Sequence, residues 1–166
     1  MREFPSAKAL IPDLAQQFKE HPQSSLGTVY TQGWHLDGDV LLLGDAAHAI
    51  VPFHGQGMNC AFEDCAELMR LMDEHHGWAG LFEAFEHTRK PNTDAIAQMA
   101  LENYVEMREA VLDPEYRRKK AEAEALEKKD PNFIPRYSMV MFHPEISYRD
   151  ALRKSVPEPQ PSAPAK

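Results

Sequence analysis

The sequence predicts an α/β fold in which helix predominates: one or two strands lead into a glycine-rich loop, and several helices follow. Three observations carry that prediction. Val40-Leu41-Leu42-Leu43 is a continuous apolar run of strand length, the pattern of a strand covered on both faces. Gly44-Asp45 ends the run, and the loop after it is punctuated by Pro52, Gly55 and Gly57. From Met58 onward apolar residues recur at intervals of three and four, the period of a helix with one covered face.

Taken in order, residues 6–20 predict a short helix whose apolar face is Leu10, Ile11, Leu14 and Phe18. Pro12 belongs near a helix start, so the segment divides naturally into two pieces. Residues 26–32 alternate as a strand does, and Asp37-Gly38 is the turn expected between it and Val40–Leu43. Trp34 reads as a packing residue. The helix after Gly57 carries Met58, Ala61, Phe62, Cys65, Leu68, Met69 and Met72 as its core face, with Glu63, Asp64, Glu67, Arg70 and Asp73 opposite. Its expected end is His75-His76-Gly77, with Gly77 supplying a left-handed residue.

Residues 81–111 are helical in pattern, with an end or a kink expected near Lys90 because Pro91 follows. Ile96, Met99, Ala100, Asn103, Tyr104 and Met107 share one face, and Asn103 is its odd member: an amide there needs a hydrogen-bond partner or solvent. Asp113-Pro114 is a helix start, cap followed by proline. The helix to Lys129 is charged on all sides, pairs Arg118 with Glu122 and Glu124 with Lys128, and reads as a solvated face. Pro131 ends it. Residues 133–144 are apolar and aromatic and require cover, Ile146 to Lys154 predict a last short helix, and from Pro157 the chain is Pro-rich and expected to be disordered.

The composition narrows the function. A formal net charge of −8 over 166 residues and a pI near 5.4 argue against a nucleic-acid surface. No stretch approaches the roughly 18 apolar residues of a membrane span, and no signal peptide opens the chain. Cys60 and Cys65 lie five positions apart on one helix and suit no disulfide, so a reducing, cytoplasmic setting is expected. Eight histidines are scattered, and His75-His76 lacks the i, i+4 spacing of helical metal ligands; no metal site is expected.

The segment from strand to helix holds the chemistry. A carboxylate at a strand end can accept hydrogen bonds from a hydroxylated ligand. Glycines ahead of a helix let a ligand approach the backbone, and the free N–H groups of the first turn favour electron-rich atoms. Half of a nucleotide or flavin site fits that description. Gly44-Asp45-Ala46-Ala47-His48, with Pro52 and Gly55-Gln56-Gly57-Met58-Asn59, resembles the second flavin motif of the single-component FAD-dependent aromatic hydroxylases, and with Phe53 and His54 it is most similar to the kynurenine-hydroxylating members. The G-x-G-x-x-G turn that opens such enzymes and holds the ADP pyrophosphate is not in this sequence, so the expectation is a C-terminal part of the Rossmann-like hydroxylase fold. On that reading residues 1–39 close the substrate domain, 40–76 form the flavin-binding strand, loop and helix, 78–155 are a C-terminal helical region, and 156–166 are a tail.

The resemblance implies a reaction. NADPH reduces FAD, the reduced flavin takes up O2 as a C4a-hydroperoxide, and one oxygen passes to the aromatic ring of L-kynurenine, giving 3-hydroxykynurenine. It implies that Asp45 contacts the ribityl chain and that Pro52, Gly55, Gln56, Gly57, Met58 and Asn59 line the isoalloxazine ring. Phe53 and His54 would face the substrate, Asn103 would help hold its amino-acid end, and Tyr137 would contact its carboxylate. No catalytic residue is certain. His54 invites assignment as a general base, yet its place in a Pro-Phe-His-Gly loop suits shaping the pocket. His48 is expected to satisfy a local backbone group. The family's substrate-clamping Arg and Tyr, like its ADP-binding turn, belong to the half not represented, so the chain alone is expected to bind FAD weakly and to be inactive. Two alternatives stay open: a flavin hydroxylase of phenol or salicylate type, for which Asn103 and Tyr137 are incidental, and a truncated, non-catalytic helical interaction module using residues 113–129 and 133–142.

Overall fold

The computed structural model describes residues 10–109, 113–130 and 132–154. The predicted start of the first helix at residues 6–9, the end of the long helix near Val111, the break at Pro131 and the Pro-rich tail lie outside them.

Among the described residues the strand content is one small hairpin. β1 (His35–Leu36) pairs antiparallel with β2 (Val40–Leu41), His35 opposite Leu41 and Leu36 opposite Val40. Asp37 turns the chain at φ 46°, and Asp39 N–H donates back to Leu36 O at 3.1 Å. The turn at Asp37-Gly38 is therefore real but joins β2 to residues 35–36 and not to 26–32, which form no strand. That segment makes one ladder-like bond, Val29 N–H to Ala49 O at 2.8 Å. The run Val40–Leu43 is not the buried strand its composition predicts: Val40 is exposed and Leu41, Leu42 and Leu43 are half-buried. Only β1 pairs with it among the described residues, so its other edge and one of its faces are uncovered.

Helix dominates, as predicted. α1 (Leu14–Glu20) starts two residues after Pro12, but it buries nothing; Leu10 and Phe18 stand in solvent. α2 (Asp45–His48) is a single turn. A 3-10 turn (Pro52–His54) leads through Gly55 into α3 (Gly57–Glu74). α3 ends in an extended His75, φ −116°, and the left-handed glycine expected at Gly77 is absent. α4 (Trp78–Glu109) runs unbroken through Pro91. Its neighbours supply extra donors to that turn: Asn92 Nδ2 to Thr88 O at 3.0 Å and Thr93 Oγ1 to Lys90 O at 3.1 Å. Packing of Arg89, Thr93, Ala95 and Ile96, all buried, holds the helix on both sides of the proline and overrides the local break signal. α5 (Pro114–Glu127) starts as predicted, with Asp113 Oδ1 accepting the Glu115 N–H at 2.9 Å. α6 (Arg136–Phe142) and α7 (Tyr148–Lys154) follow. No helix among the described residues is long and apolar enough to cross a membrane.

Two apolar clusters flank α4. One joins Trp34 and Ala47 to Leu71 of α3 and to Leu81 and Phe85 of α4. Trp34 is the packing residue expected. The other joins Cys60 of α3 to Ala95, Ile96 and Met99 of α4, Met139 of α6, and Tyr148 and Ala151 of α7. The predicted core face of α3 is covered only in part: Ala61 and Leu68 are half-buried, and Leu68 packs on the Trp34 cluster. Met58, Phe62, Cys65, Met69 and Met72 are exposed, whereas Cys60, Asp64 and Leu71 are buried. The side of α3 that turns inward thus carries a fully buried carboxylate, Asp64.

Candidate functional site

The backbone between β2 and α3 makes a cradle. Gly44 stands at φ +60° and Gly55 at φ +65°, conformations that disfavour a side chain. A Cβ placed on Gly55 would meet nothing within 4 Å, so its outer side is open. The first helical bond at the start of α3 is Cys60 N–H to Gln56 O, 2.9 Å, which leaves the N–H groups of Gly57, Met58 and Asn59 outside the helix's own bonding. Asp45 opens α2 with an exposed carboxylate that no ion pair among the described residues engages. Gln56 and Asn59 differ from the other expected cofactor residues. Their side chains bond each other, Asn59 Nδ2 to Gln56 Oε1 at 2.7 Å, and Gln56 is buried. The Gln56 amide is thereby committed within the protein, to Asn59, to His54 O and to Tyr148.

Behind the cradle lies an ion network that the sequence did not announce. Asp64, wholly buried, accepts the Gly44 N–H at 2.8 Å and lies 2.6 Å from His48 Nε2 with one oxygen; the other accepts from Arg89 Nε at 2.7 Å. His48 therefore serves a carboxylate and not, as expected, a backbone group. Arg89 continues to Glu63 at 2.9 Å and to Cys60 O at 3.2 Å. Burial opposes the charge on Asp64, but hydrogen bonds from His48, Gly44 and Arg89 outweigh it and hold the carboxyl below its ordinary range. Burial, with Glu63 beside it, pushes the Cys60 thiol up to about 12. The available signal was positional: Asp64 falls on the Cys60 and Leu71 side of α3, opposite the methionine stripe.

The predicted substrate residues come together around one cavity. Phe53, His54, Asn103 and Tyr137 line a space of about 560 Å³, with Arg136 and Tyr116 among the remaining walls. The His54 and Tyr137 rings stack at 5.7 Å and 28°. Phe53 lies against Tyr104 with centroids 4.6 Å apart. Asn103 Nδ2 donates to Phe53 O at 2.5 Å, so the amide that looked misplaced on an apolar face has a partner. Sequence reasoning missed Arg136, which Glu102 Oε2 holds at 2.5 Å, because it begins a helix that was read only as an apolar segment.

Comparison with known proteins decides the family. A model described as FAD binding domain matches residues 8–100, more than half of the chain. The chain belongs to this FAD binding domain family. Kynurenine 3-monooxygenase of Xanthomonas oryzae pv. oryzae is 54% identical over 142 residues, which is 85% of this chain and 31% of that protein. The enzymes of the same name from Xanthomonas euvesicatoria pv. vesicatoria and Xanthomonas campestris pv. campestris are 52% and 51% identical with the same coverage. The chain thus spans about a third of the length of the curated relatives it matches. The family's cofactor suits what is present: an open left-handed glycine and three first-turn N–H donors follow an unengaged carboxylate acceptor at Asp45, which together match the hydroxyls of a polyhydroxylated chain and the acceptor atoms of a flat ring.

Proposed function

We propose that this chain is the ring-facing part of an FAD- and NADPH-dependent monooxygenase that hydroxylates L-kynurenine to 3-hydroxykynurenine. The observation that carries the reading is the adjacency of the cradle and the cavity. Phe53 and His54 belong to both, and Asn103 and Tyr137 close the cavity around them.

Bound FAD would supply the redox chemistry, accepting a hydride from NADPH and activating O2 for transfer of one oxygen atom to the ring. The residues of this chain bind, orient and exclude water. Asp45 accepts hydrogen bonds from the ribityl hydroxyls. The loop from Pro52 through Gly55, and the N–H groups of Gly57, Met58 and Asn59 with Gln56 behind them, present positive dipole ends to the ring's polar edge, where negative charge gathers on reduction. Phe53, His54 and Tyr137 form an aromatic wall that keeps water from the reacting centre. His54 is buried and stacked on Tyr137, which fits a shaping role better than proton transfer. Asn103 Oδ1 and the Tyr137 hydroxyl take the ammonium and carboxylate of the substrate. The G-x-G-x-x-G turn that would hold the ADP half of the cofactor is not among these 166 residues.

The test has two arms. The isolated chain, titrated with FAD by fluorescence quenching, binds weakly and oxidises no NADPH; stoichiometric FAD with NADPH turnover would falsify the part-enzyme reading. Joined behind the first two thirds of the Xanthomonas oryzae relative, the chain restores kynurenine-stimulated NADPH oxidation with formation of 3-hydroxykynurenine. Stimulation by simple phenols or salicylate in place of kynurenine would reassign the substrate.

A further inference from the structure

The buried network behind the cradle has no part in the chemistry just described, yet it touches both ends of the loop. At the strand end, Asp64 accepts the Gly44 N–H, one residue before Asp45. At the helix end, the Tyr148 hydroxyl lies 3.1 Å from Gln56 Oε1, the same oxygen that takes up Asn59. The two ends meet through Arg89. Its Nε bonds Asp64, its Nη1 pairs with Glu63, and Glu63 Oε1 lies 3.0 Å from the Tyr148 hydroxyl. A set of polar contacts therefore runs from β2's end through α4 to α7, where the single hydroxyl proton of Tyr148 is shared between Glu63 and Gln56 and so reaches the first turn of α3.

Stability alone is a poor reason for such a set. Removing charges from water costs free energy that their pairing does no more than offset, and apolar side chains of equal volume hold a core as well or better. What a buried, bonded network adds is registry: few alternative arrangements satisfy every partner. Arg89 is a rigid fork with three of its nitrogens engaged, so it sets distance as well as charge.

Resting on the flavin reading above, we infer that Asp64, Arg89 and Tyr148 are positioning residues that fix the separation between the Asp45 carboxylate and the ring-facing N–H groups of Gly57 to Asn59, so that one FAD molecule reaches both. α7 thus acts on the flavin site from the far end of the chain without touching the cofactor.

Two variants test this. Asp64→Asn keeps the shape but cannot accept from Gly44 and Arg89 together. Tyr148→Phe removes one hydroxyl and keeps the packing of α7, so it reports even where the first variant fails to fold. In the 166-residue chain, amide hydrogen exchange rises at Cys60, whose N–H makes the first bond of α3 to Gln56 O, by about fivefold in Tyr148→Phe, and at Gly44, whose N–H is held by Asp64, by roughly tenfold or more in Asp64→Asn, the ratios expected for losing a neutral and a charge-assisted hydrogen bond. Exchange in α5 stays as in the parent, and Glu122→Gln, on the exposed face of α5, changes none of these sites. In the joined enzyme the FAD dissociation constant rises by matching factors. Unchanged loop exchange, or a rise spread evenly over the chain, overturns the inference. So does a loosened loop with unaltered FAD affinity. A joined parent enzyme that takes up no FAD defeats the functional reading instead, and the exchange pattern then decides by itself whether the network holds the loop.

Discussion

Asn103 donates a side-chain N–H to the backbone carbonyl of Phe53 at 2.5 Å, joining the long helix α4 to the loop across 50 positions of sequence. A helix residue thereby sets where the cavity's aromatic wall begins. The bond uses one of the four hydrogen-bonding positions of the amide and leaves Oδ1 for a guest.

Asn103→Ala should therefore do two separable things. It leaves the Phe53 carbonyl without its donor, lowering stability by about 1–2 kcal/mol in urea unfolding. In the joined enzyme it raises KM for kynurenine more than it lowers kcat. A KM that stays put while stability falls would confine Asn103 to the loop.

Tyr137 contributes a ring and a hydroxyl, and two substitutions part them. Tyr137→Phe keeps the stack on His54 and removes only the hydroxyl proposed to meet the substrate carboxylate, so on that reading KM should rise while the melting temperature stays near the parent's. Tyr137→Leu also loses the ring contact, worth about 0.5–1.5 kcal/mol, and lets water at the wall. The readout for the second is the fraction of NADPH consumed without hydroxylated product, which should increase.

The acid limb of stability should belong in part to Asp64. Its carboxyl is held lower in the folded chain than in the unfolded one. The ionised group therefore stabilises the fold above the ordinary carboxylate pKa near 3.9, and the contribution disappears as pH falls through the depressed folded value. Asp64→Asn should be less stable than the parent near neutrality, and the gap should start to close only below about pH 4 and vanish once pH has fallen through the depressed folded value. Parallel curves of stability against pH for parent and variant would refute the assignment.

The two thiols should differ sharply. Cys65 is exposed and Cys60 is buried with its thiol pushed up to about 12. At pH 8 Cys60 would be thiolate in only about one molecule in 10⁴, so a disulfide reagent should label one thiol quickly and the second only on unfolding. Mass mapping should find the label on Cys65; rapid labelling of Cys60 would mean that the second apolar cluster opens readily.

How far the residues themselves could be read varies along the chain. The strand, loop and helix order from Val40 to Glu74 was legible because glycine, proline and periodicity act locally. So was the start of α5 at Asp113-Pro114, where cap and proline need no distant partner. Pro91 misled for the converse reason: its break signal is local, and the packing that overrides it is not. The gathering of Phe53, His54, Asn103 and Tyr137 followed from resemblance, since nothing in the periodicity of α4 says that residue 103 meets residue 53.

The amino-acid order by itself determined where α3 and α5 begin and the acidic Gly44-Asp45 turn before the glycine-rich loop, all consequences of capping and spacing within a few residues. Which face of α3 turns inward was decided only by tertiary structure. Counting apolar side chains favours the methionine stripe; the face that is covered instead carries Cys60 and Leu71 with Asp64, whose carboxylate meets Gly44, His48 and Arg89. That choice depends on partners 16 to 25 positions away, and no local pattern carries it.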